Sequence, residues 1–219
     1  MVALDISGRY TLREEVANSI THGLGVVLSI AGLAVLTGLA GRYGDAWHIV
    51  SCSIFGSTLI LLYTASTLYH GIPHPGAKKI LRIVDHCAIF LLIAGTYTPF
   101  TLVNLRGPWG WSLFGAIWGL ALLGIILQLT PWRRFRVLSV LLYVGMGWAV
   151  VVATNPLLNA VHPNGLLLLA LGGLAYTGGI VFYAWRRLPH HHAIWHLFVL
   201  TGSVLHFFAV LLYVIPFSA

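Results

Sequence analysis

Charge is what this sequence has least of. Only 8% of its 219 residues are Asp, Glu, Lys or Arg, against about 25% in an ordinary soluble domain. That scarcity excludes a water-soluble globule of this length. With 58% hydrophobic residues and a mean hydropathy of +0.89, the chain reads as a membrane protein. Acids are rarest, five in all: Asp5, Glu14, Glu15, Asp45 and Asp85. The two cysteines, Cys52 and Cys87, fall near opposite faces of the bilayer in the layout below. They are too far apart to bridge, and both read as apolar packing residues. The two lysines, Lys78 and Lys79, fall in a loop, which removes a retinal-type photoreceptor, whose chromophore needs a lysine within a span. The sequence has no low-complexity tract and no linker long enough to separate domains. It also lacks a small-residue cleavage site followed by a polar mature region. Residues 1–219 are therefore expected to form one membrane domain without a removable signal.

Long apolar runs are what the sequence does have. With about 20 apolar residues needed per helical span, breaks at charged, Pro and Gly residues give seven approximate spans: 20–40, 46–69, 84–104, 109–129, 136–154, 165–185 and 193–215. Only helices and closed barrels satisfy their backbone in lipid, and runs this long exclude the short alternating strands of a barrel. The expected fold is an all-α, seven-transmembrane helix bundle. Small residues at helical spacing, as in GLGVVLSIAGLAVLTGLAG and LALGGLAYTGG, permit close helix contact. Pro99 is expected to bend the third span.

The net charge of +7 does not point to nucleic acid, because the bases sit at the ends of apolar segments. Arg9, Arg13, Lys78, Lys79, Arg82, Arg133, Arg134, Arg136, Arg186 and Arg187 fall on one side of a seven-span layout. Only Arg42 and Arg106 fall on the other. By the positive-inside rule the amino terminus is cytoplasmic and the carboxyl terminus outside.

Four of the acids are placed in tails or loops, and Asp85 alone at the mouth of a span, in LRIVDHCAIFLLIAG. A carboxylate at that depth costs several kcal/mol unless paired, solvated or protonated. A helix-dipole role is the plain alternative. At the same depth the second span ends in ASTLYHGIPH, with Ser66 and His70 four residues apart on one face, and the seventh begins with His192 and His196, also four apart. Two imidazoles at that spacing can grip one metal. Three protein nitrogens plus a water is the arrangement of a catalytic zinc, with a neighbouring carboxylate to hold or deprotonate the water. His70, His192 and His196 are thus candidate metal ligands, beside Asp85 and Ser66. The competing reading makes them membrane-interface histidines.

The other histidines read differently. His190 and His191 read as solvated loop residues, His74 as surface and His86 as a local packing or hydrogen-bonding residue. His48 and His162 fall on the opposite side. His206 is ten residues beyond His196, hence about 15 Å deeper along a helix, and reads as a hydrogen-bonded residue or the lining of a lipid or water cavity. Glu15, Asn18 and His22 form one polar stripe in EEVANSITHGLG. It serves either to cap and pack the helix start or to orient the metal ligands.

EEVANSITHG in the first segment, STLYH closing the second, VDH and AGTYTPF in the third, and HAIWH with LHFFAV in the seventh resemble the hemolysin III family. That family is the bacterial branch of the progestin and adiponectin receptor superfamily. The resemblance spans nearly the whole chain. It implies a zinc ion near the cytoplasmic face held by His70, His192 and His196, with Asp85 holding the water and Ser66 beside it. It also implies a multi-pass protein of the bacterial cytoplasmic (inner) membrane.

The function expected is a zinc-dependent, ceramidase-like hydrolase of a lipid amide involved in membrane lipid homeostasis, with a membrane lipid as substrate or ligand. Two rivals stand beside it. One is a non-enzymatic sensor or regulator of membrane fluidity and energetics with a structural zinc. The other is a pore-forming haemolysin, which seven hydrophobic spans support poorly. The orientation is testable directly: alkaline phosphatase fused to the carboxyl terminus should be active and a green fluorescent protein fusion there dark, and the reverse result would invert the topology.

Overall fold

The structure is a computed structural model that describes residues 10–216; Asp5 and Arg9 lie outside the described residues. Seven helical segments within that range are long and apolar enough to cross a membrane. They comprise α1 (Leu12–Tyr43), α2 (Ala46–Gly71), α3 (Pro75–Pro99), α4 (Pro108–Leu129), α5 (Arg136–Trp148), α6 (Thr154–Ala160), α7 (Pro163–Ala184) and α8 (His191–Tyr213). The fifth span is α5 and α6 joined by a 3-10 turn over Ala149–Ala153. The seven-helix bundle expected from the apolar runs is thus the fold, and the chain is an integral multi-pass membrane protein. Large apolar side chains such as Ile20, Leu122, Val137 and Val152 are exposed along the outside of the bundle, as a lipid-facing surface requires.

Two helices begin well before the hydropathy pattern suggests. Helix α1 starts at Leu12, where Thr11 and Glu14 form a capping box. Helix α3 starts at Pro75, whose missing N–H costs nothing in a first turn, capped by His74. Glu14 and Glu15 are therefore not tail residues, and Lys78 and Lys79 are not in a loop. Glu15 and Lys78 are buried, at 4% and 6% exposure. Hydropathy stops at charges, whereas a helix whose charges pair with neighbouring helices continues. Lys78, in the first turn of α3 and paired with Glu15, is still not a mid-span lysine. Asp45 does lie outside the spans, capping α2 by accepting from the N–H groups of Trp47 and His48.

Helix α1 packs along α2, α2 against α3, and α7 against α8, while α8 also closes against α1. One core cluster, including Leu36, Phe55, Leu62 and Val210, fills the space between these elements. A second, of Phe90, Ala94, Ile117, Ala121 and Met146, joins α3 to α4 and α5. Cys52 and Cys87 are free thiols, the first buried.

Proline breaks the third and fifth spans, and side chains repair them. The bend expected at Pro99 takes the form of a π turn over Phe100–Asn104, with the Leu105 N–H donating to Phe100 O at 2.8 Å. In the fifth span, Gly145 and Gly147, the valines at 150–152 and Pro156 weaken the α-helix where it narrows to 3-10 geometry. Tyr97 Oη spans that break, 2.8 Å from both Met146 O and Gly147 O, and accepts from the Val150 N–H at 3.0 Å.

After the π turn the chain reverses through Gly107 at φ 139°, a conformation that only glycine adopts readily. Gly110 then seats the first turn of α4 against the preceding backbone: a Cβ there would lie 2.1 Å from Thr101 O and 2.6 Å from Leu105 O. Neither carbonyl can rotate away. Gly110→Ala is expected to destabilise the protein by about 1–3 kcal/mol, as other overpacking substitutions do. Gly38→Ala, with nothing within 4 Å of the added carbon, should leave thermal unfolding in detergent unchanged; equal effects would contradict the packing described.

Candidate metal centre

At the end of the bundle where α2 finishes and α3 and α8 begin, three imidazoles converge. His70 Nδ1 or Nε2 and the ring nitrogens of His192 and His196 offer one atom each, and these lie within 4.8 Å of one another. All three residues are buried. The set could hold a metal ion, and it is the one such group among the described residues.

Hydrogen bonds fix which nitrogen of two of the rings is free. His70 Nδ1 lies 2.6 Å from Glu15 Oε2. A carboxylate only accepts, so Nδ1–H donates and Nε2 keeps its lone pair. His196 Nδ1 lies 3.2 Å from the Asn18 carbonyl and 3.1 Å from Thr21 Oγ1. Its N–H donates to the carbonyl, which leaves Nε2 as the electron-pair donor. His70 Nε2 and His192 Nδ1 have no hydrogen-bond partner among the described residues, and neither has Ser66 Oγ. Buried polar atoms are nearly always partnered, so orphaned nitrogens on two rings of one triad suit a site that a cation completes. The residues fit a metal.

Helix α1 supports these rings. Of the stripe read in the sequence, Glu15 and Asn18 take the orienting role, and all three members, His22 included, are buried. Glu15 Oε1 lies 2.8 Å from Lys78 Nζ, and Lys78 also donates to Tyr69 O at 3.0 Å and His70 O at 3.4 Å, at the carboxyl end of α2. His22 stacks on His196 with ring centroids 3.5 Å apart and planes 14° from parallel. His22 is not in the group of three whose nitrogens converge, and both of its ring nitrogens lack a partner among the described residues.

Helix α8 starts abruptly. His190 adopts a left-handed conformation, φ 56° and ψ 19°, strained but tolerated for histidine, and its N–H donates to Glu14 Oε1 at 3.2 Å. His190 is exposed, as expected of a loop residue. His191 is not: it occupies the first turn of α8, buried, with Nδ1 3.0 Å from Phe182 O. The sharp turn at His190 swings it inward. Tyr10 packs over the cluster, its ring 5.1 Å from His192 and 5.8 Å from His70.

Asp85 and Ser66 are buried in the wall of a cavity of about 150 Å³ that also holds His192 and His196. Asp85 falls outside the ligand triangle; Oδ2 lies 3.2 Å from His86 Nδ1. The cavity continues through apolar side chains to His206, whose Nε2 lies 3.1 Å from Leu169 O while Nδ1 has no partner. His206 is therefore both hydrogen-bonded and a cavity-lining residue. His74 is exposed, and His48 and His162 sit at the opposite end of the bundle, beside the caps of α2 and α7. Thr21 and Lys78 are the supporting residues that sequence reasoning missed. Thr21 carries no spacing signal, while Lys78 could have been found by asking what neutralises an acid on the buried stripe.

Fold and site define a seven-helix membrane protein with a buried trihistidine cluster at one end. The profile of a family described as "Haemolysin-III related" matches residues 10–207. The chain is 50% identical to the "Hemolysin-3 homolog" of Bacillus subtilis (strain 168), over 93% of this chain and 96% of that protein. It is 50% identical to "Hemolysin-3" of Bacillus cereus, over 94% of each. It is also 33% identical to the human "Monocyte to macrophage differentiation factor", over 93% of this chain and 87% of that one. The chain belongs to the haemolysin III family, and its resemblance to the wider progestin and adiponectin receptor group is a more distant one.

The support from α1 is measurable. Glu15→Gln removes the charge that polarises His70, and divalent-metal retention against a chelator should weaken about 10–100-fold, the usual cost of losing such a partner. Glu14→Gln, at the capping box, should retain metal as wild type does; equal losses would assign Glu15 a purely structural part.

Proposed function

We propose that this protein is a zinc-dependent hydrolase of a lipid amide, ceramide-like in its chemistry, working within the bilayer in membrane lipid homeostasis. It sits in the bacterial cytoplasmic membrane with its amino terminus inside. The observation that carries the reading is the meeting of His70 with His192 and His196, the latter two in the wall of a cavity that also holds Asp85 and Ser66.

His70, His192 and His196 would hold the metal. Three imidazole donors suit zinc and leave a position open for chemistry, as in catalytic rather than closed structural sites. Zinc, when bound, supplies a Lewis acid that polarises a carbonyl and brings the pKa of a bound water near neutrality. Everything else is done by the chain. Glu15, Asn18 and Thr21 fix the rings of His70 and His196, so little reorganisation is needed during reaction. The Asp85 carboxylate, buried but outside the ligand triangle, would take the proton that the attacking water loses and return it to the leaving amine. Ser66 Oγ–H, with no other partner among the described residues, would donate to the oxyanion that develops on the amide. The apolar cavity wall between Leu92 and Val199 accepts an acyl chain and keeps bulk water from the reacting atoms.

Elemental analysis beside a lipid-amide hydrolysis assay tests this. Wild type should carry zinc; His192→Ala should lose it. Asp85→Asn should keep the metal while turnover falls by about 10²–10⁴-fold, the usual contribution of a general base. Wild-type protein that binds no zinc would end the reading. Zinc without hydrolysis of any amide lipid tested would instead make the metal structural and the protein a sensor of membrane fluidity and energetics.

A further inference from the structure

The positive-inside pattern needs basic residues on one face, but it does not ask them to surround anything. Lys79 and Arg82 on α3, with Arg133 and Arg134 between α4 and α5 and Arg136 opening α5, nevertheless converge on one recess of about 520 Å³. Gln128 and Ser139 contribute a buried polar patch to its wall, the Gln128 Nε2–H donating to Ser139 Oγ at 2.8 Å. Among the described residues no carboxylate lines the recess. Lys78 reaches it too, but its charge is already matched by Glu15. Among the described residues, Lys79, Arg133, Arg134 and Arg136 have no carboxylate within ion-pair distance. Like charges gathered around one concavity repel each other until an anion sits among them.

The position of the recess says which anion. It shares His86, Val140, Tyr143 and Tyr183 with the apolar cavity that holds Asp85 and Ser66. A cationic compartment at the end of the bundle thus adjoins an apolar one within it. An amphiphile with a negative headgroup fills both, whereas a free anion uses only the first. Arginine forks match phosphate oxygens two at a time, and basic pockets between membrane helices are suited to anionic headgroups.

We propose that this recess binds the phosphate group of an anionic phospholipid whose acyl chain runs into the adjoining cavity. Binding at the recess does not depend on catalysis. One corollary does rest on the hydrolase reading above: the substrate then carries a phosphate and an amide in one molecule, rather than being a neutral ceramide.

The test is native mass spectrometry of the purified full-length protein in detergent. It is titrated separately with dioleoyl phosphatidylglycerol, dioleoyl phosphatidylcholine and inorganic phosphate. The expected result is one tightly held phosphatidylglycerol, retained at least about fivefold better than the zwitterionic phosphatidylcholine, since one basic group near the surface is worth about that factor. Arg136→Gln and Lys79→Gln should each weaken phosphatidylglycerol binding by a similar factor. Arg187→Gln, an equal loss of charge on the same face but outside the recess, should not. Equal retention of the two lipids, or equal weakening by all three substitutions, overturns the proposal. Inorganic phosphate binding as tightly as the lipid overturns the lipid assignment. Wild-type protein that binds phosphatidylglycerol with this selectivity and hydrolyses no amide lipid refutes the hydrolase alone.

Discussion

The Glu15 carboxylate is the group on which the arrangement at this end of the bundle depends. An unpaired charge at that depth would cost several kcal/mol; here both oxygens are engaged. One meets His70 on α2 at 2.6 Å and the other Lys78 on α3 at 2.8 Å, so a side chain of α1 ties its own helix to α2 and α3 at the end where the site forms. Lys78 extends the tie by donating to the last carbonyls of α2. In lipid, where apolar packing alone gives helices no preference for one another over acyl chains, polar contacts of this kind decide register. A buried pair need not add much net stability. What it does add is a fixed orientation for His70.

From that anchor the remaining polar groups follow in layers. Asn18 and Thr21, one turn further along α1, receive His196 of α8, and His22 stacks on the same ring. Below them Tyr63 Oη donates to Ser203 Oγ at 2.7 Å, and Tyr176 Oη lies 2.9 Å from the same oxygen, joining α2, α7 and α8 under the cavity. The bundle is thus polar along one internal column, which runs beside its apolar core clusters, and apolar on its lipid-facing surface. The column, rather than a central apolar core, sets the geometry of the site.

The seven spans were legible because bilayer thickness imposes a length that apolar runs must meet. Convergence of His70, His192 and His196 was legible as well, since alternating span direction assigns each residue to an end of the bundle. The starts of α1 and α3 were not. Hydropathy treats Glu15 and Lys78 as solvent-facing, and only tertiary structure reveals that each neutralises the other. His191 was misplaced for a related reason: nothing in PHHHAIWH marks His190 as the left-handed residue that turns its neighbour inward. The break between α5 and α6 had visible signals, two glycines, a valine run and Pro156, but hydropathy does not register them. Thr21 had no signal, because a hydroxyl beside a helix backbone looks the same whether it serves its own turn or a distant ring.

The first and last helices meet at this site, and that sets an order of events. His192 and His196 lie on the last span, while the groups that orient their partners lie on the first. During synthesis α1 enters the bilayer with Glu15, Asn18 and His22 already on one face, and α2 and α3 can neutralise Glu15 soon afterwards. The ligand set itself stays incomplete until α8 is inserted. A metal held by these three imidazoles would therefore be acquired only after α8 has joined the bundle, since a chain stalled or cleaved before its final helix holds one of the three.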